Sequence, residues 1–190
     1  MDEHKLTEIN MSLLKLLYKG RAYESTILCR KIIFELLENV ECKFKVAESW
    51  HLVYSSVEHG FSLRTMVDNL SKSRPPFILI CRENEGNTFG VFINDKICFK
   101  STLSGKINTF LFKMENGQVK VFKYSGNLPY FCLCSPSFIG FGCSEGKFGL
   151  LFNSTLLTGS SSRVTTFNNE VLSRKEKFAV KQIEVWTIGH

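Results

Sequence analysis

Residues 109–124 read TFLFKMENGQVKVFKY, and this stretch decides the fold class. Asn116-Gly117 suits the two positive φ angles of a type I′ turn, whose twist matches that of the strands it joins. Phe110 and Phe112 precede the turn, and Val119, Val121 and Tyr124 follow it, giving the period of two that marks an antiparallel hairpin. The pattern continues in both directions. Upstream, Phe77 to Cys81 is a continuous apolar run, Glu83 to Asn87 reads as a turn, and Thr88 to Asn94 returns as a strand. Downstream, Tyr130 to Cys134, Phe138 to Phe141, Lys147 to Phe152 and Phe178 to Trp186 are β-like, separated by Gly, Ser and Asn clusters such as Gly159 to Ser162.

Before residue 75 the period is helical. Leu6, Ile9, Leu13, Leu16 and Leu17 recur at three- and four-residue spacing until Gly20, which predicts a first helix. The pairs Ile27-Leu28, Ile32-Ile33 and Leu36-Leu37, with Val40, predict a second that covers something larger. In the third, Ser62 caps a stripe of Leu63, Met66, Val67 and Leu70, and Pro75-Pro76 closes it. Helices followed by a succession of short strands predict an α+β fold. Its expected form is a two-sheet antiparallel β-sandwich core flanked by a few helices, with a helical N-terminal lead-in over 1–22 and one domain over 23–190.

The 190 residues, 44% hydrophobic and 22% charged, suit a single domain with a phenylalanine-rich core of 17 Phe. No window approaches the roughly 18 apolar residues that would span a bilayer, and MDEHKLTE lacks the basic-then-apolar order of a secretory signal. The expectation is a cytoplasmic monomer with no transmembrane segment. Seven cysteines, an odd number without regular spacing, read as reduced thiols. The net charge of +6 and pI near 8.9 favour acidic partners in encounter, but no nucleic-acid-binding motif accompanies them, so nucleic acid is not expected.

Several segments then align with one family. Trp50-His51-Leu52-Val53-Tyr54-Ser55-Ser56, followed by His59-Gly60-Phe61-Ser62-Leu63, resembles the opening signature of the TLDc domain family of oxidation resistance proteins. Phe89-Gly90-Val91-Phe92, Thr109-Phe110-Leu111-Phe112 and Phe122-Lys123-Tyr124-Ser125-Gly126-Asn127 are similar to its later strands. Ile139-Gly140-Phe141-Gly142 through Leu150 resembles its glycine-rich turn, Thr166-Phe167-Asn168-Asn169 its Thr-Phe-x-Asn turn, and Glu184-Val185-Trp186 its terminal strand. Departures are Tyr124 and Leu151 where the family has Trp, Asn153 where it has Asp, Val164 where it often has Cys, and Asn108 where it commonly has Glu. The resemblance implies a non-enzymatic protein that binds the vacuolar-type proton ATPase at its peripheral stalk, regulates its assembly and contributes to oxidative stress resistance. A peroxide- or thiol-processing redox protein and a scaffold for other partners are the alternatives.

Candidate chemistry is sparse. Gly140-x-Gly142-x-x-x-Gly146 has dinucleotide-loop spacing, but a strand-like run follows it and no helix terminus is offered to a phosphate. Ser55, Ser56, Glu58 and His59 hold the residue types of a nucleophile, acid and base set without a nucleophile elbow. Cys132, Cys134 and Cys143 lack the spacing and the histidine of a tetrahedral metal site. No catalytic, cofactor-binding or metal-binding residue is assigned. Trp50, Ser55, His59, Gly60, Ser62, Gly90, Gly126, Gly140, Gly142, Thr166, Phe167, Asn169, Glu184 and Trp186 are expected to act mainly as structural members of the family motif.

Overall fold

The structure is a computed structural model that describes residues 13–189. In chain order its elements are β1 (Lys15–Tyr18), β2 (Arg21–Ala22), α1 (Arg30–Leu37), α2 (Cys42–Lys45), β3 (Ser49–Ser55), α3 (Ser56–His59), α4 (Leu63–Ser71), β4 (Phe77–Glu83) and β5 (Thr88–Ile93). There follow β6 (Phe110–Glu115), β7 (Gln118–Lys123), β8 (Cys132–Cys134), β9 (Phe138–Ser144), β10 (Lys147–Asn153), β11 (Thr158–Ser160) and β12 (Lys177–Ile188). The β6–β7 hairpin forms as its sequence dictates. Asn116 and Gly117 take φ angles of 51° and 75°, and Glu115 pairs with Gln118 across the turn.

Pairing runs β7-β6-β5-β4-β12-β11-β10-β9-β8, with β3 beside β12, β1 beside β3 and β2 beside β1. β12 bends between two layers. Its first residues pair with β11 in one sheet, Val180 onward pairs with β4 in the other, and Glu184 onward lies between β3 and β4. Register shifts at Val180/Gln182 and Val185/Trp186 supply the local irregularity that lets a strand turn such a corner.

This arrangement gives the first sheet two buried faces. Leu79, Val91 and Leu111 point inward and meet Phe141, Leu150 and Phe152 of the second sheet. Ile78, Ile80, Phe92, Phe110 and Phe112 point outward and are roofed by Ile32, Ile33, Leu36 and Leu37 of α1. The apolar run at Phe77 to Cys81 is thereby explained, because a strand covered on both sides has no polar face to alternate with. α1 has 8 residues, too few to be stable alone, and burying its four apolar side chains contributes about 8 kcal/mol before entropy is subtracted. In α4, Ser62 Oγ accepts the Thr65 N–H at 3.2 Å, while Leu63, Met66, Val67 and Leu70 are buried, as the spacing predicts.

The helical lead-in is corrected over its described part. Residues 15–18 form a strand, paired in parallel with β3 through Lys15↔Ser49, Leu16↔Trp50 and Leu17↔His51. Lys19 and Gly20, at φ angles of 49° and 76°, then turn the chain back into β2. The open edge of β3 offers backbone hydrogen bonds and an apolar neighbour, and these override the local period of Leu13, Leu16 and Leu17. Residues 1–12 of the expected helix lie outside the described residues.

Gly90 sits mid-strand opposite Ile80, where a Cβ would overlap the Leu79 carbonyl oxygen and approach the Phe112 ring to 2.7 Å. Backbone on one side and a packed ring on the other leave nothing to yield. Gly90→Ala is expected to lower stability by about 3 kcal/mol in chemical denaturation. Gly86→Ala, at φ 93° with open space around it, should cost only about 1 kcal/mol.

Candidate functional site around Glu184

Glu184 stands on β12 between Ser55 of β3 and Ile80 of β4, and it is fully buried. Alternate strand residues share a face, so Gln182 and Trp186 lie beside it. Gln182 Nε2 donates to Glu184 Oε1 at 3.0 Å, Trp186 Nε1 donates to Oε2 at 3.0 Å, and the Ser25 hydroxyl donates to Oε2 at 2.7 Å. Burial raises the Glu184 pKa, and these three donors pull it part of the way back. Ser25 Oγ also accepts the N–H groups of Ile27 and Leu28, so the carboxylate fixes the segment that leads into α1. The Thr26 hydroxyl adds a 2.7 Å bond to Gln182 Oε1.

Four other motif residues form the adjoining corner. Ser55 Oγ accepts the Val57 N–H at 3.2 Å and caps α3, while Ser56 Oγ accepts the Ile183 N–H at 3.1 Å. His59 Nδ1 lies 3.1 Å from the Ser55 nitrogen and 3.2 Å from its carbonyl oxygen; Nε2 lies 3.3 Å from the Tyr18 hydroxyl. Its ring stacks on Tyr54 at 5.4 Å. Tyr54 in turn donates to the Gly60 carbonyl and accepts the Ser62 N–H at 3.1 Å, across the turn that Gly60 makes at φ 72°. Burial raises the Tyr23 pKa, the Ser55 hydroxyl lowers it, and the charges of Glu184 and Glu58 raise it further.

In chemical terms this corner is a brace. The imidazole nitrogens meet Ser55 backbone and the Tyr18 hydroxyl, and the Ser55 and Ser56 hydroxyls receive backbone N–H groups. A relay from carboxylate through imidazole to a serine oxygen needs different neighbours. Trp50 and Trp186 are wholly buried in the outer layer, and the Trp50 indole N–H has no hydrogen-bond partner among the described residues. Ser25, Thr26, Tyr18 and Tyr23 escape the sequence reading. Their only signal is polarity in a segment otherwise read as helix and connector.

The second sheet gathers Gly126, Gly140, Gly142, Thr166, Phe167 and Asn169. A Cβ on Gly140 would overlap the Phe148 ring, and one on Gly142, at φ 63°, would come within 2.6 Å of the Phe167 ring. The Thr166 hydroxyl donates to the Cys143 carbonyl and accepts its N–H, at 3.1 and 3.2 Å. Asn169 Nδ2 donates to the carbonyls of Ser162 and Glu170, both at 2.8 Å. The turn at Gly126 is tied to this loop through Ser125, whose N–H donates to Thr166 and whose hydroxyl donates to Thr165. Beside it, Lys113 and Lys120 face each other across the β6–β7 hairpin, a like-charge pair that Glu170 bridges at 2.7 and 2.5 Å. The two lysines lower the Glu170 pKa to about 2.

The seven cysteines form no disulfide. Burial pushes the Cys81 and Cys132 thiols well above the ordinary range, Cys134 up to about 12, and Cys143 upward. Among the described residues no group of three His, Cys, Asp or Glu side chains could hold a metal, and no helix is long and apolar enough to cross a membrane.

Fold and corner together define a class: a two-sheet domain with one sheet roofed by helix, whose polar motif residues are engaged in holding strands and turns in place. The chain belongs to the TLDc domain family, whose model matches residues 22–189. It is 36% identical over 138 residues to Nuclear receptor coactivator 7 of Mus musculus, an alignment covering 73% of this chain and 14% of that protein. It is 30% identical to Oxidation resistance protein 1 of Podospora anserina, covering 87% of this chain and 61% of the relative. It is also 30% identical to the protein of that name from Yarrowia lipolytica, at 92% and 79%. The chain thus spans about a seventh of the coactivator's length.

The Glu184 carboxyl yields a pH dependence. Its folded pKa is raised above that of the unfolded chain, so between the two values the folded state holds a proton that the unfolded state has released. This contribution is fully present below the unfolded value near 4.5 and is lost as pH rises through the folded one. Denaturant midpoints measured across that window should fall more steeply for the native protein than for Glu184→Gln. Glu184→Ala strands the buried Trp186 indole N–H and two half-buried donors, and should cost roughly 2 kcal/mol.

Proposed function

We propose that this chain is a non-enzymatic TLDc protein that binds the vacuolar-type proton ATPase through its peripheral stalk and regulates assembly of that machine. It acts in the cytoplasm as a monomer, and it contributes to oxidative stress resistance through the ATPase and not by consuming oxidant. Family membership and the relatives named Oxidation resistance protein 1 support this reading. The observation that carries it is the corner at Glu184, where the residue types of a hydrolytic set cap helices and tie strands. Function then resides on the outer surface.

The physics of such a regulator is linkage. A protein that binds the detached sector of an assembly better than the joined one shifts the equilibrium by its differential affinity, about 1.4 kcal/mol for each factor of ten. No reacting group is required. Affinity purification of the tagged chain is expected to recover the ATPase, and deletion is expected to change the ratio of joined to separated sectors. No association together with an unaltered ratio would falsify the proposal.

The redox alternative makes a different demand on the thiols. A peroxide-reactive cysteine needs an accessible thiolate, whereas burial holds Cys81, Cys132 and Cys134 protonated. Alkylation of the native protein should label the exposed Cys29 and Cys42 first, leaving Cys81 and Cys132 unmodified until the chain unfolds. Rapid labelling of either buried thiol, with peroxide consumption abolished by its replacement with Ser, favours the redox reading instead.

A further inference from the structure

Five of the nine large apolar side chains left exposed among the described residues lie in two connections that touch one another. Phe99, Leu103 and Ile107 lie in the connection from β5 to β6, and Leu128 and Tyr130 lie in the connection from β7 to β8. Ile107 is 73% exposed. The two connections are laced together along β8. Lys100 N donates to the Cys134 carbonyl at 2.8 Å, and Ser104 and Cys132 exchange backbone bonds at 2.8 and 2.9 Å. Gly105 packs against Phe131, the residue next to Tyr130, and a Cβ there would stand 2.5 Å from the Phe131 Cβ. The five apolar side chains are therefore carried by one joined structure. An exposed apolar cluster held on ordered backbone marks an interaction site more often than an accident of composition.

Charge says what kind of partner fits. The connection 95–108 carries Lys96, Lys100 and Lys106 against a single acid, Asp95, whose carboxylate is engaged by the backbone N–H groups of Lys96 and Gly105. Lys96 and Lys100 form no ion pair among the described residues, and Lys106 shares Glu41 with Lys43. A cationic rim around apolar side chains is complementary to an acidic segment that presents apolar side chains of its own.

Two details favour a protein over an anionic lipid surface. The Ser104–Cys132 pairing closes the edge of β8 to strand addition, so recognition falls to side chains. Beside Ile107 lies a 340 Å³ pocket, lined also by Phe92, Phe110, Asn108, Thr109, Lys123 and Glu41, whose carboxylate is paired with Lys43, and of a size for one large side chain. Asn108 Oδ1 and the Thr109 hydroxyl, both buried in its wall, have no hydrogen-bond partner among the described residues. A socket with polar groups in its wall suits a side chain and has no use in a bilayer.

We infer that the joined connections 95–108 and 125–131 form the surface by which this chain docks an acidic protein segment, with one large partner side chain seated in the pocket beside Ile107. The inference rests on the reading that the chain acts through a protein partner.

Three arms test it. Leu103→Asp with Ile107→Asp, and separately Lys96, Lys100 and Lys106 each changed to Glu, should reduce recovery of the ATPase at least tenfold. Val57→Asp and Leu157→Asp, at exposed positions in other elements, should leave it unchanged; thermal melts check that all variants fold. If the native chain recovers the ATPase and the loop variants do so equally well, the surface is wrong while the proposed function stands. The second arm needs no ATPase: titrating the labelled chain with an amphipathic peptide of Glu and Leu should shift amide signals in 95–108 and 125–131, and a Lys and Leu peptide should not. Absence of shifts there overturns the surface whether or not the ATPase is the partner. Flotation with phosphatidylserine vesicles is the third arm, and binding abolished by the same Asp substitutions overturns the protein-docking assignment in favour of a membrane.

Discussion

The architecture depends on one strand belonging to two sheets. β12 begins paired with β11, crosses two register irregularities, and ends clamped between β3 and β4. Without it no strand would belong to both sheets, and the inner core of Leu79, Val91, Phe141 and Phe152 would be backed only by the connections that run from the first sheet to β8. Its position also explains its composition. Ile183 and Val185 face the inner core while Trp186 faces the outer layer, so the buried half, Ile183 to Ile188, is apolar on both sides save Thr187, except where it ties down a covering segment.

Glu184 is that exception. Burying a carboxylate in such a strand is unfavourable unless the group is fully bonded. Ser25, Gln182 and Trp186 meet this need, and the bonds also anchor the chain that carries α1 across the outer face. An apolar residue of similar size would remove the desolvation cost and leave the approach to α1 held by packing only. The buried acid therefore sets position more than it adds stability, the same role that Thr166 and Asn169 play with neutral groups for the loop over the second sheet.

Much of the fold was legible because its signals are local. Asn116-Gly117 demands positive φ angles, Ser62 with its apolar stripe demands a capped helix, and the apolar run Phe77 to Cys81 reads as a strand. β11 was not legible, since Thr158-Gly159-Ser160 is a strand only because β10 and β12 lie on either side of it. Lys15 to Tyr18 was misread for the same reason, its leucines fitting a helix until the edge of β3 is present to pair with. In the corner, Ser55, His59, Gly60, Ser62, Glu184 and Trp186 were recognisable by their motifs, yet their partners Ser25 and Tyr18 come from far along the chain, and no spacing encodes such a meeting.

A division of labour follows from where the bonds are. Inside the two layers nearly every polar motif residue is engaged, and the glycines at 90, 140 and 142 admit no side chain, so the interior has little freedom to take on new chemistry. The connections 95–108 and 125–131 stand under a different constraint. They are laced by backbone bonds to β8, which fixes their path while leaving most of Ile107 and more than a third of Leu103 and Tyr130 outside the packing. Side chains that the fold does not need, displayed on backbone that the fold holds still, can be chosen by a partner alone. On physical grounds, recognition belongs in those connections and rigidity in the layers behind them.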